Sequence, residues 1–83
     1  METYTETVYR FRILRHEELP EEHKASYRAD GIDPDDIWGL YASFISKRDA
    51  SRELKNLREN SAWFQTYKIV DAGKATTIER PLY

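Results

Sequence analysis

The stretch from residue 36 to residue 60 constrains the fold most, because an apolar strand runs there directly into an amphipathic helix. Residues 37–45 form the most apolar run of the chain and carry apolar side chains on both faces, which favours a central strand. Ser46 is a good N-cap for the helix that follows. The helix has one apolar stripe at i, i+4 and i+7, made of Ala50, Leu54 and Leu57.

Three further strands are predicted around this unit. Residues 8–15 alternate with a period of two, with Tyr9, Phe11 and Ile13 on one face, as in a half-buried strand. Residues 62–70 again have apolar side chains on both faces. Residues 71–74 predict a hairpin turn in which Gly73 takes a positive φ, and residues 75–80 predict a short fourth strand.

The segment between the first two strands, residues 16–36, is acidic and too long for a hairpin loop. Its eight carboxylates face only Lys24 and Arg28 as cations. Pro20 and Gly31 bracket a possible short, weakly anchored helix within residues 17–30. We expect the rest of this acidic connection to be mobile, and residues 1–6 to be a flexible N-terminus.

These elements predict a single small α+β domain over residues 1–83. The expected architecture is a four-stranded, mostly antiparallel or mixed sheet with one main amphipathic helix on one face, in the order ββαββ. The segment from Trp38 to Val70 predicts a right-handed βαβ crossover whose two strands are parallel.

Composition narrows the setting of the protein. The chain has no cysteine, so it has neither disulfides nor thiolate metal sites. A small secreted domain would usually carry disulfides, the N-terminus does not resemble a signal peptide, and no run is long enough to span a membrane. We therefore expect a cytoplasmic protein with no membrane association.

No motif predicts catalysis, a metal or a cofactor. His16 and His23 lie among carboxylates, but their spacing does not match the helical His-Glu-x-x-His motif. Residues 30–36 do not follow the ligand spacing of a calcium-binding EF-hand loop. No serine lies in a nucleophile elbow, and no glycine-rich loop could hold a phosphate. The sequence favours a protein that is not an enzyme.

Protein binding is the leading functional hypothesis, because one helix can cover only one face of a sheet whose strands are apolar on both. The uncovered set is expected to be Tyr41, Ile45, Phe64 and Val70. A partner protein, a second copy of the chain in a homodimer, or the chain's own Leu19, Tyr27 and residues 82–83 could cover it. The acidic side chains of Asp33, Asp35 and Asp36 could also dock on a basic partner. Such a module would suit a regulatory or inhibitory role.

Nucleic-acid binding is the alternative. Basic side chains on the outer face of the 47–59 helix and on the first strand could contact phosphates or bases; they are Arg10, Arg12, Arg48, Arg52, Lys55 and Arg58. The net charge of −2 and the isoelectric point of about 5.7 count against this alternative.

Overall fold

The computed structural model describes residues 2–82 as an α+β fold of five strands in two antiparallel sheets with two helices, in the order ββαβαββ. The strands are β1 (Thr3–Val8), β2 (Phe11–Glu17), β3 (Gly39–Phe44), β4 (Gln65–Asp71) and β5 (Thr76–Pro81). The helices are α1 (Glu21–Ala29) and α2 (Lys47–Asn60), and a 3-10 helix spans Pro34–Asp36.

The main sheet has three strands in the order β3-β2-β4. Both outer strands are antiparallel to β2, so β3 and β4 run in the same direction and α2 connects them. The predicted parallel orientation of these two strands is therefore confirmed. The prediction that residues 37–45 form a central strand is wrong, because β2 takes the centre and β3 lies at an edge.

The second sheet is a two-stranded ribbon of β1 and β5, paired from Thr3 opposite Pro81 to Val8 opposite Thr76. The prediction of one four-stranded sheet in the order ββαββ is wrong, and so is the hairpin between the last two strands. The reason lies in the turn after β4. The Asp71 carboxylate accepts a hydrogen bond from the Gly73 N–H at 2.8 Å, and Gly73 has a φ of 82°. This turn directs the chain away from β4.

Arg12 of β2 then fixes where β5 begins. Its guanidinium donates to the Thr76 hydroxyl at 2.8 Å and to the Lys74 carbonyl at 3.5 Å. The start of β5 is thus held beside β2, where it meets the end of β1.

The N-terminal half also differs from the prediction. Residues 8–15 do not form one strand, because the chain bends at Tyr9 and Arg10 between β1 and β2. Residues 3–6, expected to be flexible, belong to β1. Residue 1 lies outside the described residues.

Helix α2 covers one face of the three-stranded sheet, as predicted. The Ser46 hydroxyl accepts the Asp49 N–H at 3.2 Å and caps the helix. Ala50 and Ile13 are fully buried, and Tyr67 on the sheet is buried. Ile13 lies opposite Ala42 and Ile69, and Tyr67 lies opposite Arg15 on the same face. The main core therefore lies between α2 and this face.

The predicted short helix within residues 17–30 is confirmed as α1, but the mobile, weakly anchored connection is not. No residue of α1 is buried, so apolar packing does not hold it. Instead the Lys24 side chain, only 12% exposed, reaches the carboxylates of Glu18 and Asp35. An ion-pair cluster therefore attaches α1 to the end of β2 and to the 3-10 helix.

The molecule is less compact than is usual for a chain of 83 residues. Its radius of gyration is 15.0 Å, with extents of 39 × 37 × 24 Å, whereas a chain of this length typically has a radius of about 12 Å. The exposed ribbon of β1 and β5 accounts for this shape. Within residues 2–82, neither helix is long and apolar enough to cross a membrane.

Candidate functional site

The outer edge of β3 is the most distinctive surface of the described chain. β3 pairs with β2 on one side only, and β1, β4 and β5 each have one free edge as well. Folded proteins usually protect such edges with charged residues or proline. Glu6 lies in β1, Lys68 in β4, and Glu79, Arg80 and Pro81 in β5, whereas residues 37–46 carry no charge and no proline. The edge of β3 is therefore the one suited to pairing with a further strand.

Apolar side chains accompany this edge. Ile45, just after β3, is 75% exposed, and Leu40 and Tyr41 are also exposed. The Tyr41 ring packs edge-on against Tyr67 with centroids 5.5 Å apart, and the Arg15 guanidinium lies 5.5 Å from its centroid. Tyr41 is thus held in place while part of it stays accessible.

A β-bulge sets the direction of the side chains along β3. Ala42 lies opposite Ile13, and Leu40 lies opposite the next residue, Leu14, so Tyr41 is the extra residue. As a result, Leu40 shares a face with Leu14, on the side away from α2. Gly39, opposite Arg15, lies on the α2 side.

A hollow of about 200 Å³ opens at the beginning of β3. Its lining comes from the end of β2, the segment after it and the start of β3, and comprises Arg15, Glu17, Leu19, Ile37, Gly39 and Leu40. Arg15 and Glu17 form an ion pair at 3.4 Å. A methyl group at Gly39 would meet no atom within 4 Å. The hollow could therefore accept one apolar side chain from an incoming segment.

The acidic residues just before β3 are ordered. The Asp33 side chain accepts the Asp35 N–H at 2.9 Å and caps the 3-10 helix. The Asp36 side chain accepts the Trp38 indole N–H at 3.2 Å. The Asp35 side chain lies 3.8 Å from the Lys24 ammonium and is 64% exposed. Asp35 thus combines a structural contact with access to solvent.

The Lys24 cluster also contains the one grouping of metal-ligand type found in the described residues, His16, Glu18 and Asp35, whose ligand atoms lie within 4.8 Å of one another. The Lys24 ammonium contacts Glu18 and Asp35, so a cation already lies among these carboxylates. Its hydrogen bond lowers the pKa of Glu18, and the same bond raises the pKa of Lys24. His16 Nδ1 donates to the Ile37 carbonyl at 2.8 Å, since that oxygen can only accept. The cluster is therefore best explained as a structural anchor.

The four apolar residues expected to form one uncovered surface are divided between the two edges of the sheet. Tyr41 and Ile45 accompany β3, whereas Phe64 precedes β4 and Val70 lies within it. Val70 lies opposite Arg12, on the face away from α2. The structure thus brings Tyr41 and Ile45 together and separates them from the other two.

The segments expected to cover the apolar surface do so only in part. Leu19 lines the hollow at β3. Tyr27 and Leu82 remain exposed, and residue 83 lies outside the described part of the chain.

Trp63 was not identified from the sequence as an exposed residue. It is 88% exposed and packs edge-on against Phe64 with centroids 5.7 Å apart. The sequence pattern placed both side chains inside a strand, but β4 begins two residues after Trp63, and a turn precedes it. A shift of strand boundary of this size cannot be read from apolar alternation alone.

The basic residues of the nucleic-acid alternative also separate into two groups. Arg10 forms a bidentate ion pair with Asp71, with bonds of 2.7 and 2.9 Å, and Arg12 is bound to the start of β5. Arg58 donates to the Tyr67 carbonyl at 3.4 Å. The remaining three lie on one outer stripe of α2 at i, i+4 and i+7: Arg48, Arg52 and Lys55.

Comparison of the chain with protein-family models, curated proteins and solved structures finds no match.

Proposed function

We propose that this protein is a small, non-enzymatic interaction module that binds an extended protein segment along the free edge of β3. The observation that carries the proposal is the edge at residues 37–46, which has no charged residue and no proline. The three other strands with a free edge in the described chain all carry charged residues. Strand addition to such an edge is a common mode of peptide recognition, in which backbone hydrogen bonds supply affinity.

The surroundings of the edge would supply specificity. In strand addition, alternate side chains of the bound segment enter pockets beside the edge. The hollow next to Gly39 and Leu40 has room for one such side chain, and Tyr41 and Ile45 offer apolar contact further along. We therefore expect the bound segment to be apolar, with one side chain in the hollow.

Two ion pairs within the described residues shift the pKa values of their own groups and have structural roles. The shifted pKa values among the described residues belong to two ion pairs, Arg10 with Asp71 and Lys24 with Glu18. Each pair joins segments that are distant in sequence or differ in structure, which is typical of structural ion pairs. A regulatory or inhibitory role is consistent with a module of this kind.

A pair of matched variants tests the proposal. Short random peptides are selected on the immobilised protein, and the binding of selected peptides is measured by fluorescence anisotropy. Leu40→Lys places a charge on the β3 edge and should abolish binding. Val70→Lys is the control, because Val70 lies on the other edge strand, on the same face, and has similar exposure, 36% against 38%. It should bind normally.

Two results would contradict the proposal. One is that selection on protein dilute enough to be monomeric yields no binding peptide, and the other is that the selected peptides bind Leu40→Lys as tightly as the wild type. Amide hydrogen exchange adds a direct readout, since an added strand should slow exchange within β3.

Nucleic-acid binding is a second candidate because Arg48, Arg52 and Lys55 lie on one exposed stripe. Within residues 2–82, these three side chains make one salt bridge, a weak contact of 3.9 Å between Arg52 and Asp49. Such a stripe could contact successive phosphates, with affinity that falls steeply as salt is added.

Titration with single- and double-stranded oligonucleotides at low salt decides between the two candidates. If nucleic acid is the ligand, Arg52→Glu with Lys55→Glu should abolish a salt-sensitive interaction. The control, Arg28→Glu with Lys74→Glu, changes the net charge equally but lies off α2. The absence of any oligonucleotide binding would remove this candidate.

A further inference from the structure

The charges on either side of β3 have opposite signs. Asp33, Asp35 and Asp36 come just before the uncharged stretch at residues 37–46, and Lys47 and Arg48 come just after it. β3 is therefore preceded by an acidic 3-10 helix and followed by the basic first turn of α2. Two copies of this strand bring opposite charges together at both ends only in the antiparallel direction, since parallel pairing would place like charges side by side.

We propose that the segment bound by the β3 edge is β3 of a second copy of this chain, paired antiparallel about a two-fold axis. This inference rests on the proposed interaction function and names its partner. The dyad passes between Tyr41 and Ala42, because this register sets the acidic end of each strand beside the basic end of the other. At each end of the seam, the acidic 3-10 helix of one copy, with Asp35 and Asp36, then faces the basic start of α2 of the other copy, with Lys47 and Arg48.

The same register matches side-chain size. It places Tyr41 opposite Ala42, Leu40 opposite Ser43 and Gly39 opposite Phe44 of the other copy, so that each large side chain meets a small one. Cross-strand neighbours of this kind are the main unit of sheet stabilisation. The open space beside Gly39, at the hollow, would receive the Phe44 ring.

The bulge at Tyr41 makes this register possible. Residues directly opposite one another in an antiparallel pair lie on the same face of the sheet. Gly39 shares the α2 face with Phe44, which lies opposite Phe11, and Leu40 shares the other face with Ser43, which lies opposite Arg12. In a regular strand, residues five apart such as 39 and 44 would point to opposite faces.

The proposed dimer is also a closed assembly, to which no further copy adds. A two-fold axis uses the same edge of both copies, so each β3 edge is covered once. The outer strand on each side of the resulting six-stranded sheet is β4, which carries Lys68 and Asp71. Those charges disfavour the addition of further copies, and assembly stops at the dimer.

Sedimentation velocity from micromolar to millimolar concentration tests the inference. The wild type and Val70→Lys should show a dimer that dissociates on dilution. Leu40→Lys, which brings two ammonium groups to the seam, should remain monomeric at concentrations where Val70→Lys is dimeric. Circular dichroism and thermal unfolding verify that each variant is folded.

Two charge reversals test the antiparallel register. Arg48→Asp and Asp35→Lys each replace two attractive contacts by two repulsive ones in their own homodimers, and each should raise the dimer dissociation constant by about tenfold. Mixing the two variants should restore the dimer, because a heterodimer of these chains again has opposite charges at both contacts. The control mixture, Arg48→Asp with the wild type, keeps one repulsive contact and should not recover.

A wild-type protein that stays monomeric at millimolar concentration would overturn the inference, and so would a dimer unaffected by Leu40→Lys. A dimer whose mixed charge variants fail to recover would overturn the register. These failures differ from failure of the proposed function. A monomer that still binds selected peptides through β3 retains the interaction function and loses only the second copy as its partner.

Discussion

Lys24 has an unusual position for a lysine, because its side chain is only 12% exposed and lies among three carboxylates. Glu18 is its closest partner, and Glu21 and Asp35 lie 3.9 and 3.8 Å from the ammonium. Since α1 buries no residue of its own, these contacts are what hold the helix beside β2. Partly buried ion pairs of this kind depend on every partner, because loss of the cation leaves the carboxylates to repel one another.

Replacing Lys24 should therefore loosen α1 specifically. Lys24→Met keeps the apolar stem of the side chain but removes the charge, and we expect faster amide exchange within α1 and a lower melting temperature. Lys55→Met is the matched control, because Lys55 lies on the outer face of α2 and makes no salt bridge in residues 2–82. Equal effects of the two changes on α1 would show that the cluster does not anchor the helix.

Asp71 makes the stability of the folded protein depend on pH in the acid range. The hydrogen bond from Arg10, together with that from the Gly73 N–H, lowers its pKa from 3.8 to about 2. A carboxyl group with a lowered pKa in the folded state contributes stability above its ordinary pKa, and this contribution is lost as the pH falls through the folded value. Asp71→Asn should therefore flatten the fall in melting temperature between about pH 4 and pH 2.

Asp30→Asn is the control for this measurement, since it removes an equal charge from a residue that makes no salt bridge among the described residues, and Asp71→Asn should have the larger effect. The side chains of Arg10 and Asp71 are about half exposed, so solvent screens their attraction and the effect should weaken as salt is added. An unchanged slope for Asp71→Asn at low salt would contradict the assignment.

Helix α2 is the element that can be predicted best from the sequence, because each residue pattern that predicts it is local in the chain. The Ser46 cap and the stripe of Ala50, Leu54 and Leu57 need only the spacing of residues along the chain. β5 could not be placed in this way. Its Thr-rich sequence has no apolar face, and its partner β1 lies some 70 residues earlier in the chain. Pairing over such distances depends on the bonds of Arg12 to Lys74 and Thr76, which are tertiary contacts.

The candidate site can also be predicted only in part from the sequence. Tyr41 and Ile45 were expected to lack cover within the chain, and both are exposed beside β3. Phe64 and Val70 do not lie on that surface, because apolar side chains on both faces of a segment do not by themselves make it a central strand. The hollow could not be foreseen, because Arg15, Leu19 and Ile37 meet there only after the acidic connection has folded.

The core role of α2 can be measured at Leu54. This side chain is half-buried on the helix face that contacts the sheet, and Leu54→Ala should lower the free energy of unfolding by about 2 kcal/mol, near the low end for leucine truncation. Lys55→Ala, one position further along on the outer face, should change it by less than about 0.5 kcal/mol. Urea unfolding monitored by tryptophan fluorescence gives both values. A Leu54→Ala protein as stable as Lys55→Ala would place the core elsewhere.

At the scale of the whole molecule, the chain divides into a packed body and a separate two-stranded ribbon. The body consists of α2 on the three-stranded sheet, and the ribbon consists of β1 and β5. Val8, at the end of the ribbon nearest the body, is its one buried hydrophobic residue in the described chain. A two-stranded ribbon on its own is marginally stable in water. Its order should therefore depend on Val8 and on the cross-strand ion pair of Glu6 with Arg80.

Amide hydrogen exchange should reveal this division. We expect the paired amides of β1 and β5 to exchange faster than those of β2 around Ile13, because the ribbon can open without unfolding the body. Val8→Ala should accelerate ribbon exchange further, whereas Thr5→Ala, at an exposed position of the same strand, should not. Ribbon amides as slow as those of β2 would show that the two sheets unfold together. In that case Val8 would belong to the same cooperative core as Ile13 and Ala50, and the large radius of gyration would reflect only the shape of one rigid unit.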